Sequence, residues 1–533
     1  MRLWYNRIMR KTLISTNPAK NYEEIGSVEV STDEEIVQAV KGAKQAFLAW
    51  KQLSFEERVP FFQKFLALMK PEVDAIAELQ TKEMGKPIQR SKGEVSGAVS
   101  WLEWHLANAG KFLDVKVLDE EDGYQTELHL EPFGACAAIA PWNFPTYQFF
   151  LAVMQQLLAG NAVVFKHSEE CPLTSQKLAE LMQKAGFPEG VFTCLYGDGV
   201  VGKKLLEQDV NLIHFTGSSR VGEDIYKIAA EKFIPVVLEM GGSSPGIVFE
   251  DTKLSKVCDS MYTERFDNCG QVCCALKRLF VHENVYDDVV TQLKETIESQ
   301  VVGEPLDEKT TIGPLVAKRQ VKVIEEQVED AKQKGATILT GGKKPERLEG
   351  AFYEPTLIID TTPDMKVITE ETFGPVLPVI KFSNEEEAIP VGALTPEGLR
   401  DTKESAELLA KRIPEEAYVH FYESPSYIPS KITTGDATVK DINPQRARIT
   451  ASIYENKITG KLGPANKVDG EIVNDYAGNP ISNTRDESAL LGDLFEATDE
   501  ERAQFIPDFF SVKERLYPDN DDQFWNDFEQ NCL

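Results

Sequence analysis

The sequence predicts an α/β protein built on a parallel, doubly wound sheet, followed by a C-terminal region of a different texture. Two observations carry this. From residue 128 onward, short apolar runs alternate with segments of helical length, which is the pattern of strands joined by crossover helices. That texture continues to about residue 389 and then stops at Pro390.

Residues 31–69 and 72–113 read as helices. Thr32 and Asp33 cap the first, and Ile36, Val40, Ala43 and Phe47 recur at helical spacing. Strands are expected at 136–140, 162–165, 192–196, 212–215, 236–239 and 246–249, with helices at 174–185, 199–208 and 222–232 between them. A second α/β stretch runs from about residue 252 to 382. Beyond Pro390, Thr395 and Pro396 open a capped helix over 395–413, with Leu399, Ala406, Leu409, Ala410 and Ile413 building an apolar face. Residues 417–461 hold short β-like pieces between turns, and 489–533 are acidic with interspersed Phe and Trp. The expected organisation is a dinucleotide-binding domain over 1–237, a catalytic α/β domain over 238–389, and an unassigned region over 390–533.

A chain of 533 residues has room for two to four domains, and 42% hydrophobic content is enough for real cores. A net charge of −29 repels phosphate backbones and anionic lipid, so neither nucleic acid nor a bare membrane is an expected partner. No apolar run is long enough to span a bilayer. Residues 1–22 are basic but lack a signal-peptide core, so a transit peptide and a start at Met9 stay open. The eight cysteines show no metal-ligand spacing, and thiols in a reducing cytoplasm are expected.

The segment richest in chemistry is Phe266-Asp-Asn-Cys-Gly-Gln-Val-Cys273-Cys-Ala-Leu-Lys-Arg278. A reactive cysteine needs a lowered pKa and access to substrate, and a Gly-Gln turn running into a helix would supply a helix N-terminus for that. Alone, a cysteine near a glycine is more often a small buried hydrophobe. Gly217 and Gly222 form a spaced pair between strand and helix, where backbone N–H groups meet a pyrophosphate.

The cysteine segment resembles the active-site signature of the aldehyde dehydrogenase superfamily, matching at Phe266, Asn268, Gly270, Gln271, Cys273 and Arg278. Further motifs of that family occur in its order: Pro141-Trp-Asn-Phe-Pro145, Lys166-His-Ser-Glu169, Phe215-Thr-Gly-Ser-Ser-Arg-Val-Gly222, Leu238-Glu-Met-Gly-Gly242 and Glu370-Glu-Thr-Phe-Gly-Pro375. The resemblance implies a Rossmann-type NAD-binding domain beside a catalytic α/β domain. It implies Cys273 as nucleophile and Asn143 as an oxyanion donor worth ~3–4 kcal/mol. It also implies Glu239 as the base that activates water, its pKa raised by the apolar flank Val236, Val237, Leu238 and Met240. The cofactor residues it implies are Trp142, Lys166, Glu169, Gly217, Ser218, Gly222, Glu371 and Phe373. A carboxylate at Glu169 repels a 2′-phosphate, so NAD is expected over NADP.

Asn143-Phe-Pro-Thr-Tyr-Gln148, Leu157-Leu-Ala-Gly-Asn161 and Lys166-His167 look like the bacterial-type succinate-semialdehyde dehydrogenases. Those enzymes carry an arginine after the Tyr-Gln pair, where Phe149-Phe150-Leu151 stands here, leaving room for a more apolar aldehyde. The resemblance spans residues 14–389. The family's closing loop and the strand exchanged between its subunits are not found, so an oligomer is left open. The expected function is NAD-dependent oxidation of an aldehyde through a Cys273 thioester. The alternative is an impaired scaffold fused to a partner-binding module.

Overall fold

A computed structural model describes residues 10–384, less 122, 123 and 253. The helix expected over 395–413, the β-like pieces of 417–461 and the acidic tail of 489–533 lie outside the described residues.

The first sheet contains β5 (Ala135–Ile139), β6 (Ala162–Lys166), β7 (Phe192–Leu195), β8 (Leu212–Thr216) and β9 (Val236–Glu239), in the order β7-β6-β5-β8-β9. All its pairings are parallel. Every residue of β6 and β8 is buried, which is why these strands read as unbroken apolar runs. The strand order reverses between β5 and β8. In a doubly wound sheet that switch point opens a crevice at the carboxyl ends of the strands. The second sheet contains β10 (Pro245–Val248), β11 (Arg278–His282), β12 (Thr337–Thr340), β13 (Thr356–Ile359) and β14 (Val376–Phe382), in the order β10-β11-β14-β13-β12. Only its β12–β13 pair is antiparallel. The expected domain boundary after residue 237 would cut β9. The chain leaves the first sheet at Glu239 and enters the second at Pro245.

The two long helices expected at the N-terminus are four: α1 (Asp33–Trp50), α2 (Phe55–Met69), α3 (Val73–Met84) and α4 (Ile88–Asn108). Ser54 starts α2 with its own capping box, in which the Glu57 N–H donates to Ser54 Oγ and the Glu57 carboxylate accepts the Ser54 N–H. Gly85 ends α3 in the left-handed region at φ 82°, pressed against Pro314, and Pro87 precedes α4. Two antiparallel hairpins were not foreseen: β1 (Thr12–Asn17) with β2 (Glu23–Glu29), and β3 (Lys116–Glu121) with β4 (Tyr124–Leu128).

Phe149 and Phe150 are fully buried against Phe65, Phe165 and Phe192. They belong to the core between α2 and the first sheet, so they give no argument for an apolar aldehyde. Of the expected departure at Phe149-Phe150-Leu151, only the half-buried Leu151 is left to leave room for a more apolar aldehyde.

Candidate active site

The cysteine segment links the helix Leu254–Phe266 to β11 through a strained turn. Asn268, Cys269 and Gly270 are successively left-handed, at φ 50°, 58° and 73°. Asparagine tolerates this conformation, Cys269 holds it at a cost of ~1–2 kcal/mol, and glycine is required at 270, where a Cβ would strike the Gly374 carbonyl. Side chains hold the turn. Asn268 Nδ2 donates to the Asn143 carbonyl at 2.7 Å, and Gln271 Nε2 donates to the Asn268 carbonyl at 3.1 Å. Gln271 Oε1 accepts the Val316 N–H at 3.0 Å. The fixed polar residues of the signature are thus the scaffold of the turn.

The helix expected after Gly270-Gln271 is absent. Cys273 lies in a turn, and the chain is drawn into β11, where Arg278 Nε and Nη2 donate to the Ser243 carbonyl at 3.1 and 2.7 Å. Thiol activation therefore comes from side chains and the turn, not from a helix dipole. The Cys274 thiol and backbone N–H, together with the Lys277 ammonium, outweigh burial and lower the Cys273 pKa to about 6. The neighbouring Cys274 is pushed up, because a thiolate already stands beside it. Among the other described thiols, burial raises Cys136 and Cys269 to about 12, Cys194 and Cys258 to about 11, and Cys171 well above its usual value.

Four separate segments meet around Cys273. Asn143, 3% exposed, donates from Nδ2 to the Gln271 carbonyl at 3.1 Å, and its Oδ1 is buried with no hydrogen-bond partner among the described residues. The loop bearing it runs into a short helix whose Thr146 and Tyr147 N–H groups donate to Glu94 at 3.0 and 3.1 Å. Glu94 is itself paired with the buried Lys86. Gly242, after Glu239, lies 3.8 Å (from a Cβ built on it) from the Cys273 carbonyl oxygen. Glu371 Oε1 accepts from Lys277 Nζ at 2.9 Å and from the Gly242 N–H at 3.4 Å. Phe373 meets Trp142 edge to face at 5.6 Å. Arg265 is fully buried and donates to the carbonyls of Thr372, Gly374 and Val376, fixing the Glu371–Phe373 loop.

Glu239 itself is exposed, and so are Val237 (38%) and Met240 (40%). The desolvating flank expected from the sequence does not form, because β9 is the edge strand of its sheet and no described strand covers it. Lys277 and Arg265 were missed by sequence reasoning. Lys277 occupies a variable position of the signature, and Arg265 stands one residue before it.

Of the residues expected to hold a dinucleotide, Lys166 and Glu169 lie at the carboxyl end of β6, and Gly217, Ser218 and Gly222 follow β8. Lys166, 4% exposed, points its ammonium to Glu169 at 3.4 Å, and burial lowers its pKa. Gly217 donates its N–H to the Glu239 carbonyl at 3.0 Å, and a Cβ on it would strike the Phe215 ring. Ser218 opens the helix Ser219–Lys232, and its hydroxyl makes no cap bond to that helix. Gly222 leaves the space that Met240 fills. An open helix N-terminus, an uncommitted hydroxyl and a buried ammonium fit the phosphates and ribose of a dinucleotide. Among the described residues, no cluster of His, Cys, Asp and Glu could hold a metal ion, and no helix is long and apolar enough to cross a membrane.

The aldehyde dehydrogenase family model matches residues 4–405. The chain is 36% identical over 392 residues to the NADP(+) succinate-semialdehyde dehydrogenase GabD of Escherichia coli, covering 72% of this chain and 80% of that one. It is 35% identical to the glutarate-semialdehyde dehydrogenase of Pseudomonas aeruginosa, covering 74% and 82%. A solved 3,6-anhydro-L-galactose dehydrogenase in complex with NAP superposes with a TM-score of 0.68 at 34% identity, covering 71% and 80%. The expected preference for NAD over NADP is overturned by these matches to an NADP(+) enzyme and an NAP complex. The physical reason lies in the Lys166–Glu169 pair: the Glu169 side chain is 39% exposed and its charge is balanced by the ammonium, so it presents no fixed, uncompensated repulsion to a 2′-phosphate. Each of these relatives is a dehydrogenase by name, and none points to a partner-binding module. The motifs, the two-sheet fold and the matches agree: the chain belongs to the aldehyde dehydrogenase family.

Proposed function

We propose that this protein oxidises a semialdehyde of the succinate or glutarate type to the corresponding acid, using a nicotinamide dinucleotide and accepting NADP. The observation that carries the reaction class is the depressed thiol of Cys273 at the convergence of Asn143, Gly241-Gly242 and Glu371. The substrate class is supported by the names of the similar enzymes.

The Cys273 thiolate adds to the aldehyde carbon, and the carbonyl oxygen takes the negative charge. Asn143 Nδ2 has one N–H on the Gln271 carbonyl and a second for that oxygen, beside the Cys273 N–H. The bound dinucleotide supplies the hydride acceptor. Trp142, Lys166, Glu169, Gly217, Ser218, Gly222, Glu371 and Phe373 are the residues proposed to hold it. Glu239, exposed and therefore open to solvent, removes a proton from the water that attacks the Cys273 thioester; the carbon–sulfur bond breaks and the acid leaves.

The test is absorbance at the reduced-nicotinamide band with NADP and NAD, offering succinate semialdehyde, glutarate semialdehyde and an apolar aldehyde of equal length. Cys273→Ala should abolish turnover and leave dinucleotide affinity within a few-fold. Undiminished turnover in that variant rules out the covalent route. A preference for the apolar aldehyde rules out the semialdehyde assignment.

A further inference from the structure

Lys277 has no role in the motifs that identify the family, yet it is one of the largest fully buried side chains of the described residues. Its ammonium sits 2.9 Å from Glu371 Oε1 and 4.9 Å from the centre of the Phe373 ring. A buried ammonium is costly unless paired, so the lysine and Glu371 must hold each other. Glu371 Oε1 receives a second donor from the Gly242 N–H, and its Oε2 occupies the space where Gly241 lacks a Cβ. The carboxylate is thereby fixed at one oxygen, with the side chain still 30% exposed. Lys277 is also four residues from Cys273, across the same turn. The charged and titratable groups facing this ammonium are Glu371, Arg265 and Cys273; those facing the thiol are Cys274, Lys277 and Glu371.

We propose that Lys277 is a positioning residue that links the two halves of the reaction: it clamps Glu371 against the Gly242 N–H for the dinucleotide, and adds its charge to the Cys274 hydrogen bonds that hold the Cys273 thiolate. The proposal rests on the assignment of Cys273 and Glu371 in the proposed function. One cation set between two anions makes a specific demand. Removing Lys277 must disfavour the Cys273 thiolate, whereas removing the Glu371 charge must favour it, because Glu371 repels the thiolate. A merely structural clamp would loosen the turn in both variants and shift the thiol in the same direction.

The experiment uses the full chain as wild type, Lys277→Met, Lys277→Arg and Glu371→Gln. Alkylation of Cys273 by iodoacetamide is followed against pH by peptide mapping, and NADPH affinity is followed by its fluorescence. Lys277→Met should raise the midpoint of Cys273 labelling, slow labelling below it, and weaken NADPH roughly tenfold. Lys277→Arg should restore the midpoint, and Glu371→Gln should lower it while also weakening NADPH. If Lys277→Met does not fold, Lys277→Gln, neutral and still able to donate to Glu371, takes its place and should likewise raise the Cys273 midpoint. Shifts of the same sign in Lys277→Met and Glu371→Gln, or a Lys277→Met protein with unchanged midpoint and NADPH affinity, overturn the proposal. Failure of the underlying function is seen separately, as a wild-type protein whose Cys273 is not the thiol labelled first.

Discussion

Alkylation of the wild-type thiols tests the electrostatics of the turn most directly. Iodoacetamide reacts with thiolate, so the initial rate at each cysteine follows its thiolate fraction and its exposure. A thiol lowered to about 6, as at Cys273, is about 90% thiolate at pH 7. One raised to about 11, as at Cys194 and Cys258, is roughly one part in ten thousand thiolate at the same pH. Cys273 is half-buried, which slows attack, but a few-fold loss of access does not offset a difference of about three to four orders of magnitude. Cys274 is the sharper competitor because it is exposed, yet it stands beside an existing thiolate and is pushed up. The expected order is Cys273 first by a wide margin, with its labelling rate rising through pH 6 and flat above pH 7. Peptide mapping by mass spectrometry after short exposures reads both the order and the profile. Cys269 or Cys274 labelled first, or a Cys273 rate still climbing at pH 9, would refute the argument.

Three further outcomes follow from buried groups. Gly270→Ala forces a Cβ onto the Gly374 carbonyl at φ 73° and should cost at least ~2 kcal/mol in a denaturant titration, with Cys273 labelling slowed as the turn shifts. Lys166→Met removes the ammonium at the end of β6 and should weaken NADP more than NAD in paired titrations; equal losses would show that Lys166 does not meet the 2′-phosphate. His214 is buried in β8 with its pKa lowered to about 4, so it binds a proton on unfolding but not in the folded chain. Stability from this group is therefore present above pH 6.5 and falls as pH drops from 6.5 toward 4, by ~3 kcal/mol at pH 4. His214→Leu should flatten that slope, and an unchanged slope in denaturation curves would exclude His214 as its source.

The strands of the first sheet, and β10 of the second, were legible because a buried parallel strand is a short apolar run, and each expected strand falls within one residue of the observed bounds at β5, β6, β7, β8, β9 and β10. The breaks in the N-terminal helices were written in the sequence and passed over: Ser54 with Glu57 is a capping box, and Gly85 with Pro87 is a stop and a restart. What local sequence does not carry is position within a sheet. Val236–Glu239 reads as a buried strand, but its place at the sheet edge leaves Glu239 and Val237 exposed, and no run of four residues reveals which strand ends an array. The Phe149-Phe150 pair shows the same limit from the other side. A departure from a family pattern marks a difference, and only packing says whether it faces substrate or core.

The polar residues of the signature divide between chemistry and support, and the division explains why a variable position can matter. Asn268 and Gln271 spend their side chains on backbone groups of the turn and on Asn143, and Arg278 spends its guanidinium on the Ser243 carbonyl. The two amides carry no charge to act on a thiol. Arg265 is committed to three carbonyls behind the Glu371–Phe373 loop, and burial lowers its pKa to about 9. With no helix N-terminus at Cys273, the stabilisation of a thiolate falls to what remains: the Cys274 thiol and N–H, and the Lys277 ammonium. Cys274 contributes hydrogen bonds but no charge. Among the described residues, the cation that lowers the thiol is then Lys277, and it is shared with Glu371. Activation of the nucleophile and retention of the dinucleotide are tied through that shared charge, so a substitution at Lys277 should disturb both together, whereas Asn143→Ala should disturb the oxyanion and the Gln271 turn but leave dinucleotide affinity within a few-fold.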